Sequence, residues 1–209
     1  MPDASSSGRP AGTGATAREF FVFQELLNSP TLARFYTDLL INSPATVTGV
    51  RDRQGFSKST AYKHANRLAE LGVAEELDTY DNGSALWQAE AVSGVWTGDE
   101  PIGLGPTLTA VFGATGVNED LELFVERHGR AAIAPAIMAT VAYLEGETTR
   151  RGVADNIDVP AVEGIAVTQA IEPIIVRLID FDPTFSDVTI NVDVPSEVIE
   201  KCPYQLVGG

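Results

Sequence analysis

Between Arg51 and Leu71 the chain carries Arg51, Arg53, Lys58, Lys63 and Arg67 against only Asp52 and Glu70, a local charge of +3. The other nine Lys and Arg face 27 Asp and Glu, so the rest of the molecule stands at −18. Cationic groups on long stems, interleaved with Ser57, Ser59, Thr60, Tyr62 and Asn66, are groups that pair with phosphate and hydrogen-bond to polar edges. Polar residues on a helix are by default a solvated face. A positive island in an acidic chain argues for more than solvation, and the chemistry it suits is contact with a polyanion.

Other chemistries fare worse. Two histidines (His64, His128) and one cysteine (Cys202) fall short of a usual zinc site. No phosphate-cradling glycine loop and no nucleophile elbow is present. Gly103–Gly116 is Gly-rich without nucleotide-binding spacing and reads as a loop around a helix begun by Pro106. Cys202 has no resolving cysteine. The expectation is a protein that is not an enzyme, with no metal and no cofactor.

The elements that must position the basic residues are legible around them. Residues 1–17 read as a disordered Ser/Gly/Pro tail. Arg18–Pro30 has helical apolar spacing, and Thr31 is a candidate cap for a second helix reaching Asn42. A short helix spans about Thr46 to Gln54, and the turn Gly55-Phe56 follows. Ser57 then caps a helix ending at Gly72. On that helix Ala61, Ala65, Leu68 and Leu71 form one apolar stripe. Ser59, Lys63, Asn66 and Glu70 point the other way, with Lys58, Tyr62 and Arg67 on the flanks. His64 lies beside the stripe and reads as a packing residue. Two strand-like runs joined at Asp81-Asn82-Gly83 predict a hairpin, with Trp87 and Trp96 anchoring it to the core. Thr97–Gly105 reads as a linker.

The run FSKSTAYKHANRLAELGVAEE, with a short helix before it and a DNG turn after it, resembles winged helix-turn-helix transcription regulators of the ArsR/MarR-like, haloarchaeal type. The resemblance covers about Leu32–Val95. It implies that the 57–71 helix enters the major groove of double-stranded DNA and that the hairpin is a wing touching the minor groove. On it, Ser57, Lys58, Ser59 and Thr60 sit at the entering end, Tyr62, Lys63, Asn66 and Arg67 lie along the helix, Arg51 or Arg53 reaches phosphate, and Asn82 contributes from the wing. Asp78 and Asp81 depart from the basic wing tip usual in that family.

The second half predicts helices at about 106–112, 118–128 and 131–144, then helices through Thr148–Ile157 and Ala161–Ile171. A final hairpin is expected around Asp182-Pro183, its last strand alternating Val188, Ile190, Val192 and Val194 with polar residues. Sliding the chain by 103 residues puts Thr46, Gly49, Val50 and Asp52 on Thr149, Gly152, Val153 and Asp155, which suggests a repeat. The same offset sets Lys58, Lys63 and Arg67 on Ala161, Ala166 and Ala170. The expected fold class is mainly α with small β-hairpins (α+β). Residues 18–97 form the DNA-binding domain, and 98–209 form a dimerisation or regulatory domain of degenerate winged-helix-like form.

Three lysines beside eleven arginines in a chain of net charge −15 resemble the acidic, lysine-poor surfaces of salt-accumulating halophiles. The apolar stretch Ala131–Leu144 is shorter than the ~18 residues a membrane span needs and contains Pro135. The N-terminus lacks signal-peptide order, and a lone cysteine suits a reducing compartment. The expectation is a cytoplasmic, archaeal, homodimeric DNA-binding transcription regulator, away from membranes, with any small-molecule effector unknown. The competing expectation is a winged-helix protein-interaction module in a transcription or replication assembly.

Overall fold

A computed structural model describes residues 13–96 and 102–207. The fold is α+β, mostly helical with small antiparallel ladders. Helix α1 (Thr13–Leu26) begins inside the expected tail, and residues 1–12 lie outside the described part. Helix α2 (Pro30–Ile41) opens at Ser29 rather than Thr31: the Ser29 hydroxyl accepts from Leu32 N at 3.3 Å and Pro30 takes the first helical position. Proline loses no intrahelical bond there and its φ is already helical, which favours the earlier start.

Strand β1 (Ala45–Thr46) leads into α3 (Val47–Gln54), capped by Thr46 Oγ1 accepting from Gly49 N at 3.0 Å. Gly55, at φ 69°, ends α3 in a left-handed conformation that costs a side-chain-bearing residue more. Helix α4 (Lys58–Glu70) is capped by Ser57 Oγ, which accepts from Thr60 N at 3.1 Å. Strands β2 (Ala74–Asp81) and β3 (Ser84–Ala89) join through Asn82 (φ 47°) and Gly83 (φ 79°), the two positive φ values a type I′ turn requires. The sheet order is β1-β3-β2, all antiparallel. Its core gathers Leu26 of α1, Phe35 and Leu39 of α2, Val50 of α3, Ala61, Ala65 and Leu68 of α4, and Trp87 of β3.

Strands β4 (Gly94–Trp96) and β5 (Ile102–Leu104) pair antiparallel. The stretch expected as a linker is therefore partly strand, with 97–101 outside the described residues. Trp87 is buried as expected; the Trp96 side chain lies outside the described part. Helices α5 (Pro106–Ala114), α6 (Glu119–His128), α7 (Ile133–Leu144), α8 (Arg150–Asn156), α9 (Ala161–Leu178) and α10 (Ser196–Ile199) complete the chain.

The 103-residue offset carries α2 onto α7 at both ends, the start of α3 onto that of α8, and the start of α4 onto that of α9. It extends to the caps. Thr149 Oγ1 accepts from Gly152 N at 3.1 Å as Thr46 does from Gly49 N, and Asp158 (φ 54°) stands where Gly55 does. Buried Val153, Thr168 and Ile171 take the places of Val50, Ala65 and Leu68.

The correspondence ends where α4 ends, and the expected hairpin around Asp182-Pro183 is absent. Ile174–Leu178 continue α9 through Pro173, and no strand forms over 188–194. Ile171, Ile174, Ile175 and Leu178 are fully buried at helical spacing. Each such burial is worth about 1.5–3 kcal/mol, together more than the ~3 kcal/mol a helix-interior proline costs. Val188, Ile190, Val192 and Val194 still pack on the core one-sidedly, but Asn191 N and Val192 N bond to Leu144 O instead of a partner strand.

Helix α2 serves two cores. Leu32, Phe35, Tyr36 and Leu39 face the first, while Ala33 and Ile41 belong with Val111, Phe112, Ile137, Ile171 and Tyr204 in the second. Gly113 is the contact point: a Cβ there would stand 2.9 Å from Arg34 N and 2.8 Å from Tyr204 Oη. No single described helix is long and apolar enough to cross a membrane.

Candidate nucleic-acid interface

Helix α4 buries Ala61, His64, Ala65 and Leu68 and exposes Lys58, Ser59, Tyr62, Lys63 and Asn66. At its start, Ser57 Oγ lies 2.8 Å from Thr60 Oγ1 and 3.1 Å from Ser59 Oγ. Three hydroxyls thus surround the first turn, where unpaired N–H groups give the helix its positive end.

The five basic residues of the island have unequal freedom. Among the described residues Lys58 and Lys63 meet no carboxylate. Arg51 Nη2 lies 2.6 Å from Asp52 Oδ1, an exposed neighbour pair of the kind worth little. Arg53 is committed elsewhere. Its Nε lies 2.9 and 3.2 Å from the two oxygens of Asp38, a carboxylate with no solvent exposure. Gln54 Nε2 completes that site, donating to Asp38 Oδ2 at 2.9 Å and to Pro203 O at 3.1 Å. Removing one partner of a buried pair costs about 3–5 kcal/mol, so Arg53 braces α3 on α2, and Arg51 is the freer candidate for phosphate. Arg67 sits between Glu25 at 3.0 Å and Glu70 at 2.8 Å, and these carboxylates raise its pKa.

The far end of α4 is tied to α1. Besides the Glu25–Arg67 pair, the Arg18 guanidinium donates to the Gly72 carbonyl. His64 is 9 % exposed, its ring 6.0 Å from that of Phe35 and 5.7 Å from that of Phe56. Its Nε2 is buried without a partner, and burial, then Lys63, lowers its pKa.

The hairpin brings Asn82 to the tip, where Nδ2 donates to Asp81 Oδ1 at 3.1 Å. Glu75, Glu76, Asp78 and Asp81 are exposed along β2, as is Tyr80. The structure therefore exposes Ser57, Lys58, Ser59, Tyr62, Lys63 and Asn66 along α4 and its cap, leaves Thr60 half-buried, and turns Arg53 and Arg67 toward acids. Sequence reasoning missed Asp38 and Glu25. Asp38 had a signal, a lone carboxylate inside the apolar run of α2; Glu25, on an exposed helix flank, had none.

On the second copy, the position of Ser59 is Val162, 79 % exposed, and Lys58, Lys63 and Arg67 become Ala161, Ala166 and Ala170. A family model described as a family of unknown function (DUF7437) matches residues 115–180, the stretch just after α5 through the end of α9. No curated protein and no solved structure matches the chain.

Proposed function

We propose that the chain is a sequence-specific DNA-binding transcription regulator of the winged helix-turn-helix kind. Helices α3 and α4 form the helix-turn-helix, and β2 and β3 form the wing. The observation that carries this reading is that the two cations of the basic island without carboxylate partners, Lys58 and Lys63, project from one exposed face with Tyr62 and Asn66 between them. A helix about 10–12 Å across fits a major groove about 12 Å wide. Lysines hold phosphates; Asn66 is the side chain suited to an adenine edge. Two chains pair through the C-terminal half, whose second copy keeps the helices and lacks the cations, so that a homodimer reads two half-sites. The setting is a high-salt archaeal cytoplasm.

Gel shift on the full chain tests the reading. Changing both Lys58 and Lys63 to Ala weakens binding to every DNA and lowers the slope of log K against log salt by up to about 1.8. Wild-type affinity in that variant ends the assignment of α4 as the reading helix.

The acidic strand β2 favours a second reading. Four exposed carboxylates repel phosphate, so the hairpin of a protein-interaction module would meet a basic protein surface instead. That reading requires no DNA affinity at all.

A further inference from the structure

A cavity of about 240 Å³ lies between the α1–α2 turn, α5 and the start of α7, walled by Leu27, Leu104, Leu108, Phe112 and Ile133. Arg130 stands at its edge. The Arg130 guanidinium is 5.3 Å from the centre of the Phe112 ring, and its Nη1 lies 3.3 Å from both Leu27 O and Asn28 Oδ1. No described carboxylate pairs with it, whereas Arg51, Arg53, Arg67, Arg127 and Arg150 each meet one. Arg18, Arg34, Arg151 and Arg177 likewise form no described ion pair, but Arg130 is the one of the five that lines this apolar cavity.

We infer that this cavity binds a small apolar carboxylate, an aromatic or compact branched hydrocarbon bearing one acid group. The hydrocarbon displaces water from walls that offer it few hydrogen bonds, and the acid group takes the guanidinium fork that no internal acid occupies. Size agrees: an engineered apolar cavity of about 150 Å³ takes up benzene, so this one has room for a ring and a short arm. The walls come from the α1–α2 turn, α5 and α7 and belong to or pack on the second core, so occupancy stabilises that core where it meets the turn. If the DNA reading holds, this is its effector site; the binding itself does not rest on that reading.

The test uses the full chain without DNA, titrated calorimetrically with phenylpropionate and with its neutral alcohol, phenylpropanol. The acid binds about fivefold tighter than the alcohol, as a charge pair at a partly open mouth supplies. Arg130→Gln abolishes that preference while the alcohol still binds, and Ala134→Phe, which fills the cavity from its α7 wall, removes both. Circular dichroism checks that each variant folds; should Ala134→Phe unfold, the Arg130→Gln comparison decides alone. The inference is overturned if neither probe binds, if wild type binds both equally, or if Arg130→Gln keeps the preference. It is also overturned if Ala134→Phe converts a dimer to a monomer in light scattering, which would put a second copy of the chain in the cavity. Because no DNA is present, none of these failures bears on the reading helix.

Discussion

At the scale of single residues, charge count and available charge differ. Arg67 must leave Glu25 and Glu70 before it can serve phosphate, while Lys63 has no such partner to give up. On the DNA-binding reading, Lys63→Ala therefore weakens general DNA affinity more than Arg67→Ala, and a filter-binding comparison on random-sequence DNA orders the two. Asn66→Ala instead relaxes one base position by roughly 1–3 kcal/mol, read from selected binding sites. His64 gives a pH prediction. Its folded-state pKa lies below the ordinary value because burial and Lys63 disfavour the imidazolium. The unfolded chain thus binds the proton more readily, so this contribution is complete above about pH 6.5 and is lost as pH falls below it toward the lowered folded value. The groups facing the ring are Phe35 and Phe56, with Arg34 stacked 5.0 Å over Phe56; none offers a negative charge. Thermal melts from pH 7.5 to 5 fall more steeply for wild type than for His64→Leu, and parallel slopes would remove His64 as the source.

Elements impose a different test. The second copy packs α8 on α9 more tightly than the first packs α3 on α4, because Gly164 replaces Ala61. A Cβ at Gly164 would stand 2.2 Å from Ala154 Cβ and 2.5 Å from Ala154 Cα. Backbone cannot swing aside as a long side chain can, so Gly164→Ala destabilises by at least about 1–3 kcal/mol. Denaturant midpoints measure it, and a neutral result would mean that the two helices are not in such contact. Asp182 links elements in another way. Its Oδ2 accepts from Thr107 N at 2.7 Å in the first turn of α5, and its Oδ1 accepts from Thr184 N at 2.9 Å. One buried carboxylate thereby caps a helix through Thr107, 75 residues earlier in the chain.

For the whole molecule, the shared helix α2 decides cooperativity. A fragment ending near residue 97 would bare the α2 side that packs on α5, and one starting there would lose Ala33 and Ile41 from its core. The C-terminal segment adds to this. Tyr204 Oη donates to Ala110 O at 2.6 Å, and Asn42 exchanges bonds with Gln205 O and Val207 N at 3.0 and 2.8 Å. The intact chain is therefore expected to melt in one calorimetric transition, and two resolved transitions would falsify that coupling. Net charge sets the conditions. At −15 the chain repels itself in dilute buffer, and at 1 M salt the Debye length shrinks to about 3 Å. The melting midpoint rises with KCl over the molar range; a midpoint indifferent to salt ends the halophile reading.

What the sequence determined by itself was what neighbours within a turn or two decide. The Thr46 and Ser57 caps, the Gly55 stop, the Asn82-Gly83 turn and the apolar stripe of α4 depend on local φ/ψ and hydrogen bonds, and residue types report these directly. The repeat was legible for the same reason, since caps and apolar phase recur at 103 residues. Runs that satisfy two periods were not decided locally. Ile174 to Leu178 suits a buried strand as well as a buried helix, and the core around α5 and α7 chose the helix. Alternation at 188–194 reported burial on one side without saying whether a partner strand existed. The free and engaged cations were least legible of all. Arg53 meets Asp38 from 15 positions away and Arg67 meets Glu25 from another helix. Only the packing of α1 and α2 against α3 and α4 brings those carboxylates within reach, and Coulomb attraction at that range depends on distance in space rather than along the chain.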